Sequence, residues 1–121
     1  MFKLLINGIS ENSEDGRTTE IKNPARNSEL VGEIAYGGVE DAKKAIDAAY
    51  KALPSWSETP PRSRSGVLLR AADLVESSEK LIAETLTREQ GKPLQESLGE
   101  TRLTVSVLRY YAGLAPAISG R

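Results

Sequence analysis

Short apolar runs separated by turn residues dominate the first part of the chain. Residues 3–6 are mostly apolar and end at Asn7-Gly8, a pair that favours a turn. Residues 18–23 are rich in β-branched side chains, and residues 30–36 alternate between two faces. Residues 1–38 are therefore predicted to form strands and turns that make a small antiparallel sheet.

Over residues 39–119 the apolar spacing changes to three and four residues, which predicts four helices. The first helix is expected to end at Pro54, and the second to begin with Thr59 as N-cap and Pro60 at its first position. Gly91 is expected to end the third helix in a left-handed conformation, and Pro93 to open the fourth. The predicted apolar stripes are Ala42, Ala45, Ile46, Ala49 and Leu53; Leu68, Ala71, Ala72 and Val75; Leu81, Ile82, Thr85 and Leu86; and Leu94, Leu98, Thr101, Val105, Leu108, Ala112 and Ala115. The fold class is α+β.

The fourth helix has a second apolar side, formed by Val107, Tyr111, Leu114 and Ile118. A helix that is apolar on two sides requires burial on two sides. The preceding helices are expected to cover one side, and polypeptide outside this chain the other.

The composition excludes several function classes. Sixteen basic and 17 acidic residues give a net charge of −1, so nothing indicates nucleic-acid binding. No apolar run is long enough to span a membrane, and the start lacks a signal peptide, so a cytoplasmic location is expected. The 121 residues contain neither cysteine nor histidine, which removes the thiolate nucleophile and the commonest general base.

Several short sequence motifs, taken in order, resemble the N-terminal segment of NAD(P)-dependent aldehyde dehydrogenases. The resemblance extends from about Leu5 to the end of the chain. The motifs are Ile6-Asn7-Gly8, Asn23-Pro24-Ala25, Gly32-Glu33-Ile34, Glu40-Asp41-Ala42, the arginine-containing segment 62–70 with Ala72-Asp73-Leu74, Glu89-Gln90-Gly91-Lys92-Pro93-Leu94, and the run from Arg109 to Ala115. The residues of the motif that contains Gly91-Lys92 favour the succinate-semialdehyde dehydrogenase branch of this family.

The resemblance implies an α/β parent fold with a Rossmann-like cofactor domain, of which residues 1–121 form an incomplete N-terminal part. It implies NAD or NADP as cofactor, a cysteine that attacks the aldehyde, and an asparagine of a Trp-Asn-Phe-Pro-like motif in the oxyanion hole. None of these groups has a counterpart in this sequence, so we expect no catalytic or cofactor-binding residue in it. The chain alone is predicted to be inactive, and its expected partners are the remainder of the enzyme chain or homologous subunits.

The resemblance also implies a candidate site for a monovalent cation, bound by backbone carbonyls. The matching positions here are Ile21, Lys22 and Glu89. The acidic residue is often aspartate in the family, so Glu89 is a departure from the pattern, and a further ligand would lie outside this chain.

Other conspicuous residues are interpreted as structural. Lys92 could contact a phosphate, but a solvated lysine between two helices is the favoured reading. Trp56 is expected to pack at a helix end, and one residue of the pair Tyr110-Tyr111 to face the core. Three arginines at positions 62, 64 and 70 could suggest an anion site, but they are expected to form solvated surface pairs, with Glu58 and Asp73 as partners.

A second hypothesis comes from a different class of protein. The chain would then be a stand-alone, non-catalytic helical interaction module, or the product of a truncated gene, that binds a partner through the exposed side of its fourth helix. The coding sequence downstream of residue 121 distinguishes the two hypotheses.

Overall fold

The computed structural model describes residues 2–117, which divide after Glu58 into two compact units. The first unit contains four strands and one helix, and the second contains three helices. The elements are β1 (Leu4–Ile6), β2 (Ile9–Glu11), β3 (Thr18–Lys22), β4 (Leu30–Ala35), α1 (Val39–Glu58), α2 (Pro61–Ser77), α3 (Glu79–Gln90) and α4 (Leu94–Leu114), followed by a 3-10 turn at Ala115–Ala117. The predicted α+β class and the four helices are confirmed.

The strands form two antiparallel hairpins instead of the single small sheet predicted. Asn7 and Gly8 join β1 to β2 with φ angles of 52° and 76°, the left-handed pair that a two-residue hairpin turn requires. Strand β2, which is three residues long, was not predicted, because Asn7-Gly8 was interpreted only as the end of the first apolar run. In the second hairpin Thr19 and Ile21 share the half-buried face, as predicted.

Asn23 shapes the loop between β3 and β4. Its side-chain oxygen accepts a hydrogen bond from the Ala25 amide at 2.9 Å, and its amide nitrogen donates to the Glu29 carboxylate at 3.0 Å. The backbone N–H of Asn23 also donates to the carbonyl oxygen of Glu29 at 3.0 Å. Asn23 is only 7% exposed, so these bonds satisfy a buried polar side chain at the Asn-Pro turn.

Helix α1 begins with a buried carboxylate. Asp41 accepts hydrogen bonds from the backbone N–H groups of Gly38 at 2.9 Å and of Glu14 at 3.1 Å. The first satisfies a free donor at the helix start, and the second ties the preceding loop to α1. Asp41 is the one buried residue of this helix.

The prediction that α1 ends at Pro54 is wrong. The helix continues through Pro54 to Glu58. Proline removes one N–H from the helical ladder but leaves the next turn free to form, and the Ser57 hydroxyl donates to the carbonyl oxygen of Pro54 at 2.7 Å. The predicted stripe of Ala42, Ala45, Ile46, Ala49 and Leu53 is exposed throughout.

In the second unit, α4 packs against both α2 and α3. The predicted stripe of α2 is half-buried or buried, as expected. On α4 the buried residues are Ser97, Thr101, Val105 and Ala112. Leu94, predicted for the same stripe, is 41% exposed, and Leu81 of α3 is 68% exposed. Ser97 is fully buried and was not predicted for this stripe, because the stripe was defined by apolar side chains and Thr101.

Helix termini differ from prediction by one residue at α2. Pro60 is the N-cap and Pro61 the first helical residue, so Thr59 lies before the cap. Ser78 is the N-cap of α3, and its side chain makes no capping hydrogen bond. Gly91 ends α3 with φ 71° and ψ 12°, which confirms the predicted left-handed cap, and its N–H donates to the carbonyl oxygen of Thr87 at 2.8 Å.

Candidate functional site

The residues of the candidate cation site lie in both units. Ile21 and Lys22 end β3, at the point where its register with β4 shifts. Glu89 is exposed in the last turn of α3. The side chain of Lys22 is 59% exposed and its ammonium lies 3.2 Å from the Glu20 carboxylate, so its charge is directed to a neighbour on the same strand. The cation site stays a prediction of the family resemblance.

Lys92 was predicted to be a solvated lysine, and this prediction is wrong. Its side chain is 13% exposed, and its ammonium contacts the carboxylate of Glu100, whose own side chain is 57% exposed. The ammonium is buried, and no acceptor among residues 2–117 meets it in hydrogen-bond geometry. Lys92 is therefore a buried charge that neutralises a carboxylate of α4 at the junction with α3, a role that its position beside Gly91 and Pro93 did not reveal.

A cleft of about 260 Å³ in the second unit is lined by ion-paired side chains. Arg109 donates to Glu76 at 2.7 Å and to Asp73 at 3.1 Å, and Arg102 pairs with Glu79. The hydrogen bond from Arg109, together with its positive charge, lowers the pKa of Glu76, and the two carboxylates raise the pKa of Arg109. Both guanidinium groups are thus occupied by carboxylates, which disfavours an anion ligand in this cleft.

The first unit has a larger cleft, of about 490 Å³, between the Asn7 turn and α1. Its charged lining is balanced between three acidic and three basic residues: Glu14, Glu40 and Asp47, and Lys43, Lys44 and Lys51. Lys43 pairs with Glu40 at 2.6 Å, and Lys44 pairs with Glu11 at 2.6 Å. The balance gives this cleft no preference for a ligand of either charge.

The aromatic residues singled out in the sequence are largely exposed. Tyr110 and Tyr111 are 63% and 57% exposed, so the prediction that one of them faces the core is wrong. Their rings meet edge to face with centroids 5.4 Å apart. Trp56 is 47% exposed. It lies within α1, whereas the predicted helix end at Pro54 would have placed it beyond the helix.

The arginines of α2 are not among the residues that line these two clefts. Arg64 donates to the backbone carbonyl oxygen of Thr59 at 2.9 Å, which holds the residues just before the helix. Asp73, expected as a partner for these arginines, contacts Arg109 of α4 instead.

Within residues 2–117, no three carboxylate, thiol or imidazole side chains converge to hold a metal ion. In the same range, no helix combines the length and the apolar character needed to cross a membrane.

Comparison with known proteins decides the family. Residues 11–121 match the sequence profile described as the Aldehyde dehydrogenase family. The chain belongs to the aldehyde dehydrogenase family. It is 35% identical over 118 residues to the alpha-ketoglutarate semialdehyde dehydrogenase of Haloferax volcanii, covering 98% of this chain and 24% of that protein. It is 36% identical over 116 residues to the mitochondrial succinate-semialdehyde dehydrogenase of Arabidopsis thaliana, covering 96% and 22%.

Solved structures of the family share the fold of this chain. A betaine aldehyde dehydrogenase double mutant from Staphylococcus aureus, solved in complex with NAD+, superposes with a TM-score of 0.94 at 30% identity. The match covers 100% of this chain and 24% of that one. The chain thus spans about a quarter of the length of the relatives it matches and corresponds to their N-terminal part. The predicted family, and the semialdehyde dehydrogenases among its relatives, are confirmed.

Proposed function

We propose that this chain is the N-terminal part of an NAD(P)-dependent enzyme that oxidises a semialdehyde to a carboxylic acid. The observation that carries the proposal is the family match over residues 11–121, together with similarity to two semialdehyde dehydrogenases. NAD or NADP as cofactor is supported by solved relatives, one of them in complex with NAD+. A dicarboxylic semialdehyde is the favoured substrate class, because both of those relatives are named for one.

In this proposal the chain contributes scaffold and not chemistry. Its 121 residues contain no cysteine, so the nucleophile implied by the family resemblance has to be supplied by polypeptide outside them. The partner is the remainder of the same enzyme or a homologous subunit. A cytoplasmic location stays a prediction of the sequence.

The test uses the reading frame that contains this chain. We expect it to continue past residue 121 with a Trp-Asn-Phe-Pro-like motif and a cysteine. The longer product should then reduce NAD+ or NADP+ with succinate semialdehyde or alpha-ketoglutarate semialdehyde. The 121-residue chain is the matched control and should reduce neither cofactor, nor bind it at micromolar concentration in calorimetry.

Two outcomes would contradict the proposal. One is a longer product that carries the cysteine and reduces neither cofactor with any aldehyde. The other is a stop codon directly after Arg121, which would favour the stand-alone interaction module or the product of a truncated gene.

A further inference from the structure

The turn between β1 and β2 brings together the two groups that can form a cyclic succinimide. Gly8 directly follows Asn7, and both residues are exposed. Within residues 2–117, neither the side-chain amide of Asn7 nor the backbone N–H of Gly8 makes a hydrogen bond. The space beside Gly8 is also open, since a Cβ atom added there would meet no heavy atom within 4 Å. The side-chain carbonyl carbon of Asn7 and the Gly8 nitrogen are therefore both available for reaction.

The hairpin that contains this turn can open at little cost. The reaction requires the Asn7 backbone to leave its left-handed φ of 52° and rotate until the Gly8 nitrogen reaches the side-chain carbonyl carbon. Strands β1 and β2 are three residues long each and form a two-stranded sheet. A two-stranded hairpin is marginally stable by itself, and short exposed elements open locally at a small fraction of the global free energy of unfolding. The closed turn therefore slows the rotation only weakly.

A second pair of this kind is blocked by its hydrogen bonds. Asp15 precedes Gly16, whose φ of 71° is also left-handed. The Gly16 N–H donates to the carbonyl oxygen of Ser13 at 3.0 Å, which holds the attacking nitrogen in place. The Asp15 carboxylate accepts hydrogen bonds from the backbone N–H of Arg17 at 3.0 Å and from its guanidinium at 2.6 Å. These bonds lower the pKa of Asp15 and keep its carboxylate ionised, and an ionised carboxylate resists nucleophilic attack.

Two asparagines in the β3–β4 loop serve as internal comparisons. Asn23 is followed by Pro24, whose nitrogen has no proton to lose and cannot become the nucleophile. Asn27 is followed by Ser28, whose Cβ atom crowds the attacking nitrogen. Asn27 and Ser28 are as open to solvent as the β1–β2 turn, so they isolate the effect of the missing Cβ atom.

We propose that Asn7 is a site of spontaneous deamidation, which proceeds through a succinimide formed with Gly8. The Gly8 nitrogen loses its proton to solvent and attacks the side-chain carbonyl carbon of Asn7, and the amide nitrogen leaves as ammonia. Water then opens the ring at either of its carbonyl groups and gives aspartate or isoaspartate. Neither a cofactor nor an aldehyde takes part, so the site is independent of the proposed function.

The products change the charge and the backbone of the first unit. Asn7 lines the cleft beside α1 whose acidic and basic residues are balanced, and deamidation adds a carboxylate to that lining. Isoaspartate also inserts the Cβ atom of residue 7 into the main chain. A two-residue hairpin turn has no room for an added backbone atom, so the register of β1 and β2 is lost in that product.

The test follows each site in the full product of the reading frame that contains this chain. The protein is incubated in mildly alkaline buffer, both folded and in guanidinium chloride, and is sampled over time by peptide mass spectrometry. Deamidation of Asn7 and Asn27 is measured from the mass gain when an amide becomes an acid. Isoaspartate at positions 7 and 15 is separated from aspartate by the retention time of the peptide.

In the folded protein, Asn7 should convert at least tenfold faster than Asn27. Folding should slow the conversion of Asn7 by less than tenfold, and the formation of isoaspartate at Asp15 by more than tenfold. The proposal is overturned if Asn7 converts no faster than Asn27, or if it converts only in guanidinium chloride. Equal protection of Asn7 and Asp15 by folding would also overturn it.

Gly8→Ala tests the succinimide step. The added Cβ atom crowds the attacking nitrogen and should slow conversion of Asn7 at least fivefold. Damage to the hairpin would act in the opposite direction, because an open turn reacts faster, so a slower rate is not a folding defect. Gly16→Ala is the matched control, since Gly16 has a similar φ and lies outside the hairpin, and it should leave the rate at Asn7 unchanged. An unchanged rate in Gly8→Ala, or equal slowing in both variants, would overturn the proposal.

Discussion

The hydroxyl oxygens of Thr87 in α3 and Ser97 in α4 lie 2.7 Å apart and form a hydrogen bond across the two helices. Ser97 is completely buried, and a small side chain at this position allows α4 to approach α3 closely. The contact combines close packing with a hydrogen bond between two hydroxyl groups. One substitution at Ser97 can remove the hydrogen bond, and a different one can disrupt the packing.

Ser97→Ala should lower the free energy of unfolding by roughly 0.5–1.5 kcal/mol, because Thr87 loses its partner. Ser97→Leu should cost more, about 1–3 kcal/mol, because it overfills the interface. Urea denaturation measures both. Ser106→Ala is the matched control: Ser106 is exposed on the same helix and its hydroxyl donates to the carbonyl oxygen of Arg102 at 3.1 Å. A loss for Ser106→Ala as large as that for Ser97→Ala would show that the Thr87 contact is not the cause.

Gly91 should be intolerant of a side chain. Its φ of 71° lies in the left-handed region, where a Cβ atom collides with the following carbonyl oxygen, so Gly91→Ala should destabilise by about 1–2 kcal/mol. Gly99→Ala is the control within α4, where an added Cβ meets no atom within 4 Å. It should stabilise by about 0.5–1 kcal/mol. If the midpoints of thermal denaturation shift in the same direction for Gly91→Ala and Gly99→Ala, the left-handed cap at Gly91 is contradicted.

The Lys92–Glu100 pair should respond unequally to loss of its two members. Glu100→Ala leaves a buried ammonium without its carboxylate and should cost about 1–3 kcal/mol. Lys92→Met removes the buried charge and keeps most of the volume, so it should cost less. Lys80→Met serves as the control, since Lys80 forms an exposed pair with Glu84 at 3.9 Å and should be nearly neutral. Equal losses for Glu100→Ala and Lys92→Met in chemical denaturation would argue against burial of this ammonium.

The Arg109–Glu76 pair predicts a small acid-dependent term in stability. Because Arg109 lowers the pKa of Glu76 in the folded chain, the pair stabilises the fold above the unfolded glutamate pKa, about 4.3. That contribution disappears as the pH falls through the lower, folded value. Glu76→Gln should therefore be less stable than the parent at pH 7 and equal to it in strong acid. The difference should also shrink at high salt, because the pair is exposed.

The control for this pair is the same substitution in an Arg109→Gln background. There Glu76→Gln should no longer change the pH dependence of unfolding, since the cause of the pKa shift has been removed. An unchanged effect in that background would assign the shift to another neighbour.

Local sequence determined the elements of this protein. The left-handed cap at Gly91 and the half-buried face of Thr19 and Ile21 were predictable, since each depends on residues that are neighbours along the chain. The same holds for the apolar stripe of α2. The family, too, was recognisable from the order of its short sequence motifs, although none of these motifs contains a catalytic residue.

Tertiary structure decided which faces are covered. The apolar stripe of α1 has the same periodicity as that of α2, yet α1 buries only Asp41 while α2 packs on α4. Periodicity states which side of a helix is apolar, but burial depends on whether another element is placed against that side. Ser97 and Lys92 show the converse: both are polar in sequence, yet Ser97 is fully buried and so is the ammonium of Lys92. Ser97 forms a hydrogen bond with Thr87 of α3, and Lys92 pairs with the carboxylate of Glu100 on α4. Such pairings arise only when the helices meet, so the pattern of a single segment does not contain them.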